Sequence, residues 1–507
     1  MMRGAEVVFE VVIIGGGFSG LCLAHQLTRK GILDFVILEK ANEVGGTWRD
    51  NTYPGCACDV QSHLYSYSFA GNPDWTKTYA GWREIQDYIL SFTEKEGLRN
   101  NIRFNQEVVS ADFDESRGKW VIVSQTGERY ESRFLVNGIG LLHQPALPAI
   151  PGLDTFQGPV FHSARWRHDI DLTDKSVVSI GTGGSAIQYI PEVAEQAGKL
   201  SVFQRTPAWV IPRRERKYGR FERRLYRAFP LLRKLHRLRF YLTNEFRILA
   251  VWNPWIAGLV AMVARSHIRR SVADPEIAEK LTPNYTVGCK RVLVSNKFYP
   301  AFNQPHVHLV TKKIDKIVPE GVLTEDGEIH DADVIVLGTG FLADPREYMQ
   351  GLTIKGLGGR ELLNEWKNGP ESYYGMTTHG FPNMFQMTGP NTALGHSSVI
   401  YMIESQVNYI VDGITRLRQT GADYLDVKAD VLKAFNQKLQ DKLAGTVWTT
   451  GCTSWYQQKE GKNIAIWPGT TFSYRSQTRT FNLADYDIVS RSRAEKESGF
   501  TVTEPVS

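Results

Sequence analysis

Val11-Val12-Ile13-Ile14-Gly15-Gly16-Gly17-Phe18-Ser19-Gly20 is the stretch that decides the fold of this 507-residue chain. Four consecutive apolar residues are what a strand buried on both faces of a parallel sheet requires. The glycines at 15, 17 and 20 have the spacing of a strand that turns sharply into a helix. The first permits the turn, the second lets a pyrophosphate approach the backbone, and the third lets helix and strand pack closely. Leu21 to Thr28 continues with apolar residues at helical spacing, and Phe35-Val36-Ile37-Leu38 is a second strand. Glu39 ends it, 24 positions after Gly15. A carboxylate there accepts from an adenosine ribose 2′-hydroxyl and repels a 2′-phosphate, so this βαβ unit selects a plain ribose, as in FAD.

The pattern returns once. Val177-Val178-Ser179-Ile180 is a strand, and Gly181-Thr182-Gly183-Gly184-Ser185-Ala186 opens a helix. Val202-Phe203-Gln204 follows and ends at Arg205, again 24 positions after the first glycine. The charge is reversed, so Arg205 with Thr206 suits a 2′-phosphate, as in NADPH. Between the two units runs Phe156-Gln157-Gly158-Pro159-Val160-Phe161-His162-Ser163-Ala164-Arg165-Trp166, entered through Pro145, Pro148 and Pro151. Prolines at that density stiffen the chain, which makes this stretch a connector between two cofactor domains. His162 reads as a hinge or packing histidine rather than an acid or base.

The fold class expected is therefore α/β, with two Rossmann-like dinucleotide-binding domains. The first is discontinuous, residues 1–145 and 332–507, because Asp333 to Phe341 repeats the strand-then-glycine pattern of Val136 to Gly140. The second spans 153–212 and 281–331. Residues 213–280 form a helical insertion within it, strongly basic from Arg213 to Arg239 and apolar to about Arg270. That segment reads as a packed subdomain with a solvated basic face; contact with an anionic membrane is the lesser reading. Within the first domain, Ile102 to Ile139 reads as a small antiparallel excursion with strands at Trp120–Val123 and Tyr130–Val136. A helix from about Ser398 would present its N-terminus to a flavin, favouring the reduced, anionic form. The tail, Trp448 to Gly469, has the Gly and Trp content of a lid with aromatic anchors.

Bulk composition is that of an ordinary globular protein: 42% hydrophobic, 22% charged, net charge +5. The weak basicity suits anionic dinucleotides and gives no case for nucleic acid. No stretch of about 18 apolar residues is present, so no transmembrane segment is expected. Five scattered cysteines argue against a disulfide framework and for a reducing, cytoplasmic setting. Cys56 and Cys58 lack the companions a metal site or a CxxC redox centre needs.

Two further motifs complete the set. Gly45, Gly46, Trp48, Tyr53-Pro54-Gly55 and Asp59 spell GGxWxxxxYPGxxxD, and Gly288-Cys289-Lys290-Arg291 places a Lys-Arg pair before further strands. Together with the connector FxGxxxHxxxW (Phe156, Gly158, His162, Trp166), these resemble, in order and from Val11 to about Phe481, the type I Baeyer–Villiger monooxygenases. Those flavoenzymes insert one oxygen atom of O2 beside a ketone carbonyl, through a flavin peroxide and a tetrahedral adduct. The resemblance implies FAD and NADPH as cofactors and a small-molecule ketone with O2 as substrates, giving esters or lactones. It implies that Thr47, Trp48, Tyr65, Val108 and Asn391 lie along the flavin, that Lys290 holds the NADP phosphate, and that Trp455 lines the active site. Arg291 falls at the catalytic arginine, a permanent cation that stabilises an oxygen anion without protonating it. Asp59 would pair with it and orient it. One departure is Arg167, where the family has Pro or Asp after the tryptophan. The alternative is a flavin monooxygenase oxidising nitrogen or sulfur atoms, whose connector usually ends in Tyr or Phe and which lacks this arginine. A third reading is a non-catalytic dinucleotide-binding redox sensor.

Overall fold

The computed structural model describes residues 7–450, 452, 454–458 and 461–490. Val7–Ile14 lies at the heart of the first sheet. It pairs in parallel with Phe35–Leu38 on one side and Arg129–Asn137 on the other. Ile102–Arg103 extends one edge. On the other side Lys119–Ser124 and Val108–Asp114 continue antiparallel, and Thr353–Lys355 closes the order. Met384–Gln386 also pairs with Arg129–Asn137, so the chain's second half supplies strands to the first half's sheet. The discontinuous first domain and its antiparallel excursion are as expected from the sequence.

The second sheet is wholly parallel: Val307–Val310, Lys199–Phe203, Ser176–Ile180, Val334–Leu337 and Val160–His162. This corrects the boundary placed at 332. Val334–Leu337 hydrogen-bonds between Ser176–Ile180 and Val160–His162, so the return to the first domain falls after it. An apolar strand followed by glycine looks alike in either sheet, which is why the pattern misplaced it. The two crossings run side by side. Ala146 N donates to Gly340 O at 2.9 Å, Leu342 N to Gln144 O at 3.0 Å, and the Thr339 hydroxyl to Ala146 O at 2.6 Å.

The fingerprint glycines explain themselves by space. Gly15 sits at φ +101°, and a Cβ there would lie 2.8 Å from Gly138 O. Gly181 at φ +109° faces Gly338 O in the same way, at 2.4 Å. In both sheets the turn is wedged against the crossing strand.

The connector is half strand and half packing core. Val160–His162 is the edge of the second sheet, and Gly158 lets it approach, since a Cβ there would sit 2.3 Å from Asp333 O. Trp166 packs on Phe161 and on Tyr189 of the second fingerprint helix, at 5.1 and 5.6 Å between ring centroids. His162 is buried, accepts from Ala164 N through Nδ1, and meets Phe341 of the return crossing edge-on. These contacts pack it between its own strand and the return crossing. Arg167 points to solvent and pairs with Asp169 at 2.7 Å, away from the aromatic cluster.

The insertion is helical as anticipated: Arg220–Ala228, Pro230–Glu245 and Pro254–Ser271. Its orientation was not anticipated. Arg237 is driven inward and donates to the carbonyls of His63, Leu64 and Ser66. The leucines of the same helix face outward.

Two buried histidines make stability depend on pH. His63 lies among Tyr218, Tyr226 and His236, and burial, then the charge of His236, lowers its pKa to about 3. Burial lowers His162 to about 4. Both lie below the ordinary value of 6.5, so the unfolded chain binds these protons more readily. Their contribution is fully present above pH 6.5 and is lost as pH falls towards 4 and then 3. The Tm should drop on acidification through this window, and less steeply for His63→Gln; an equal slope in that variant would refute the assignment.

Candidate functional site

Both fingerprints open onto one cavity of about 1740 Å³. Gly15, Gly17 and Glu39 line it from the first domain, and Gly181, Thr182, Gly183, Ser185, Arg205 and Thr206 from the second. The cradle is open where a ligand would have to lie. A Cβ on Gly17 would meet nothing nearer than 3.9 Å, and one on Gly183 nothing within 4 Å. By contrast, Gly20 faces Gly15 O at 2.0 Å, a packing position as its place in the motif requires.

Glu39 is buried and held in register. Gly16 N donates to one carboxylate oxygen at 2.7 Å; Ala41 N and Arg49 donate to the other at 2.9 and 3.0 Å. Such an acceptor at the strand's end fits a ribose hydroxyl. On the opposite wall, Arg205 and Lys290 approach each other. Both line the cavity, and burial and then the charge of Arg205 lower the Lys290 pKa. Two converging cations fit a phosphate.

The flavin-side expectations converge on the cavity with one exception. Thr47, Trp48, Tyr65 and Val108 line it, and Trp48 Nε1 donates to the Tyr65 hydroxyl at 3.1 Å. Asn391 turns its side-chain amide away, donating to Asn463 O at 2.9 Å and Ile466 O at 3.2 Å. Thr388, Ala393 and Leu394 form the cavity wall there instead. Ser397 and Val399, at the start of the helix Val399–Thr420, also face the cavity, so the N-terminus of that helix lies on its wall.

Arg291 and Asp59 meet across the two domains. Arg291 donates from Nε to one oxygen of Asp59 and from Nη2 to the other, both at 2.9 Å. Nη1 reaches Leu394 O at 3.3 Å. The Asp59 charge outweighs the cost of burial and raises the Arg291 pKa further, so the guanidinium stays charged. The group is half-buried with its open side on the cavity. Trp455 lines the same cavity, while its neighbour Tyr456 is buried and meets it edge-on, with ring centroids 4.5 Å apart.

Gln188 escaped the sequence reading. It accepts from the Tyr53 hydroxyl at 2.9 Å and donates to Ala57 O at 2.9 Å, docking the YPG loop on the second fingerprint helix. Gly55, at φ +77°, faces Gln188 O at 2.5 Å, so the loop's glycine is also a contact between domains. Three residues past Ser185 on a helix, Gln188 carries no motif to betray it.

The cysteine expectation is overturned. Cys289 and Cys452, 163 residues apart, form a disulfide with their Cα atoms 5.9 Å apart. The tail folds back over the loop that carries Arg291, a proximity that spacing along the chain hides. Cys22, Cys56 and Cys58 remain buried thiols; burial pushes Cys56 up to about 12. No metal-ligating cluster occurs among the described residues. The crosslink joins Arg291's loop to the segment bearing Trp455. Cys452→Ser should lower stability by on the order of 2–4 kcal/mol and speed amide exchange at 454–458 while FAD content holds; unchanged exchange there would show that the bond does not restrain the tail.

Comparison with known proteins places this geometry. Residues 9–234 match the family of flavin-binding monooxygenase-like proteins. A Baeyer–Villiger monooxygenase of Pseudomonas aeruginosa is 44% identical over 483 residues, covering 94% of this chain and 91% of the relative. The structure of an NADP+-bound cyclohexanone monooxygenase from Rhodococcus sp. Phi1 superposes with a TM-score of 0.86 at 29% identity, over 96% of this chain and all of that one. Further solved structures of this fold are complexes with FAD and NADP. A phenazine N-monooxygenase of Lysobacter antibioticus is 31% identical over 96% of this chain and 98% of its own length.

Proposed function

This chain belongs to the Baeyer–Villiger monooxygenases, and from that premise we propose how its own residues carry out the reaction and on what class of substrate. The enzyme uses FAD and NADPH and performs an NADPH- and O2-dependent Baeyer–Villiger oxidation. Ketone, O2, NADPH and a proton give an ester or lactone, NADP+ and water. FAD, when bound, relays two electrons from NADPH to O2.

The observation that carries the assignment of roles is the Asp59–Arg291 pair on the wall of the cavity that both fingerprints share. A nucleophilic oxygen anion attacking a ketone needs a cation that cannot give up a proton. Arg291 meets that need, because its charge is fixed and reinforced by Asp59. Its open side on the cavity also suits it to stabilise the oxygen that becomes negative when the carbonyl carbon turns tetrahedral. Asp59 is the positioning residue: two parallel hydrogen bonds set the guanidinium plane. Glu39 would hold the FAD ribose, and Arg205, Thr206 and Lys290 the NADPH 2′-phosphate; Thr47, Trp48, Tyr65 and Val108 would form the flavin's side of the cavity. Val60 beside Asp59, Leu394 beside Arg291, and Trp455 give the substrate end an apolar wall, which supports an apolar ketone. The NADPH requirement supports a cytoplasmic site of action.

Arg291→Ala should retain yellow FAD absorbance yet lose ester formation by about 100-fold or more, measured by product mass with a ketone panel. Arg291→Lys should recover only part, since it keeps the charge and loses the two-point pairing. Ester formation near the parent rate in Arg291→Ala would end the proposed role. Including thioethers and N-heterocycles in the panel tests the nitrogen and sulfur alternative, which N- or S-oxides without any ester would favour. Arg205→Ala should cut kcat/KM for NADPH on the order of 10–100-fold and leave NADH little changed; an equal loss with both would place the 2′-phosphate elsewhere.

A further inference from the structure

The helical insertion is built inside out. On the Pro230–Glu245 helix and its continuation, Leu231, Leu235, Leu238, Leu242, Phe246 and Leu249 recur at intervals of three and four, one helical stripe, and every one of them is exposed. The opposite side is polar and locked to the protein. Besides the three carbonyls bound by Arg237, Asn244 donates to Gln61 at 2.7 Å and Glu245 accepts from Thr471 N at 2.9 Å. Turning the stripe inward would strip a buried guanidinium and carboxylate of their partners, so the outward leucines are fixed by the fold. After a 110° bend the Pro254–Ser271 helix continues the theme, with Trp255, Met262 and Val263 exposed. Among the described residues, more than half of the large exposed apolar side chains fall between 221 and 263.

Charge says what covers this face. Residues 213–270 carry sixteen Lys and Arg against three Glu, while the whole chain carries 59 basic and 54 acidic residues. The chain outside this segment is therefore net acidic, and the positive charge is concentrated around the apolar stripe. The three acids are already engaged: Glu215 lies beside Lys77 and Arg213, Glu222 is paired with Arg216, and Glu245 is buried. Lys234 and Arg239, both exposed, flank the stripe on either side. A second copy docked face to face would set these cations against each other. A bilayer with anionic headgroups takes up both features: leucines and tryptophans enter the acyl boundary while Lys and Arg reach the phosphates. No single described helix is long and apolar enough to cross a membrane; the bent pair Pro230–Trp252 and Pro254–Ser271 is so only when taken together, and its inward side is tied to the protein by Arg237, Asn244 and Glu245, so the fit is to the surface. We propose that the 220–271 insertion is a docking surface for an anionic lipid bilayer, onto which the enzyme binds peripherally. This stands independently of the reaction and its catalytic residues.

The test is flotation of the FAD-loaded enzyme with vesicles of phosphatidylcholine mixed with phosphatidylglycerol, beside vesicles of phosphatidylcholine alone. The enzyme should float with the mixed vesicles, and its partition should fall on the order of tenfold or more on pure phosphatidylcholine or at high salt. The double variant Leu238→Glu, Leu242→Glu should lose flotation while its rate on a water-soluble ketone stays at the parent value. A second variant, Lys234→Glu with Arg239→Glu, keeps the apolar stripe and should lose only the preference for anionic lipid. Absence of flotation, or equal flotation with both lipid mixtures, overturns the proposal. So does a concentration-dependent dimer, seen by sedimentation, that the leucine variant abolishes without any effect on lipid.

Discussion

A guanidinium from one dinucleotide fold gripped by a carboxylate from the other is the contact on which this site depends. Asp59 ends the loop that Gly45 to Gly55 shapes in the first domain; Arg291 stands in the second, just past the return of the insertion. Two parallel hydrogen bonds at 2.9 Å fix the plane of the cation and leave its open side on the cavity. In a half-buried setting the attraction is stronger than on a wet surface, and losing either partner strands the other charge. The pair thus ties chemistry to architecture, because the domains must sit correctly for the cation to exist in its working orientation. The Tyr53–Gln188 bond and the tight approach of Gly55 to the second fingerprint helix hold the same interface from residues just before Asp59 in the chain.

What could be read from sequence was what local spacing encodes. The glycines at 15, 17 and 20 and at 181 and 183 each occupy a position where a side chain would strike a neighbouring backbone or fill the cradle, and Glu39 and Arg205 end their strands at matched intervals. Such constraints act within one βαβ unit and so leave a local signature. Contacts made by long-range folding left none. Cys289 and Cys452 meet only because the tail crosses the arginine loop. Asn391, which the resemblance set along the flavin, directs its amide to the tail backbone. Val334–Leu337 joins the second sheet although its pattern matches a strand of the first. The insertion illustrates the same limit: composition marked a basic segment followed by an apolar one, but which side chains face the solvent was decided by where Arg237 could find three carbonyls.

The tail shows how one buried layer supports an exposed one. Tyr456, Trp448 and Trp467 pack with Leu439, Leu443 and Tyr474, a core separate from the two sheets. Asn391 stitches residues 463–466 to the strand region before it. Among the described tail residues, Ser454 and Trp455 are left to the cavity, carried on this buried base. An aromatic wall built this way can adjust to a substrate at little cost to the fold.

The two crossings between domains have a mechanical consequence. Because residues 144–146 and 339–342 are hydrogen-bonded to each other, they act as one ribbon instead of two independent tethers. A single tether permits twist, slide and swing; a paired ribbon resists the first two and leaves a bend about one axis. The second domain is thereby reduced to something close to a door on a pin. Any opening that lengthens the path between the two nucleotide cradles also draws Arg291 off Asp59 in the same stroke, so the distance between the cofactors and the orientation of the cation are not separate variables in this protein.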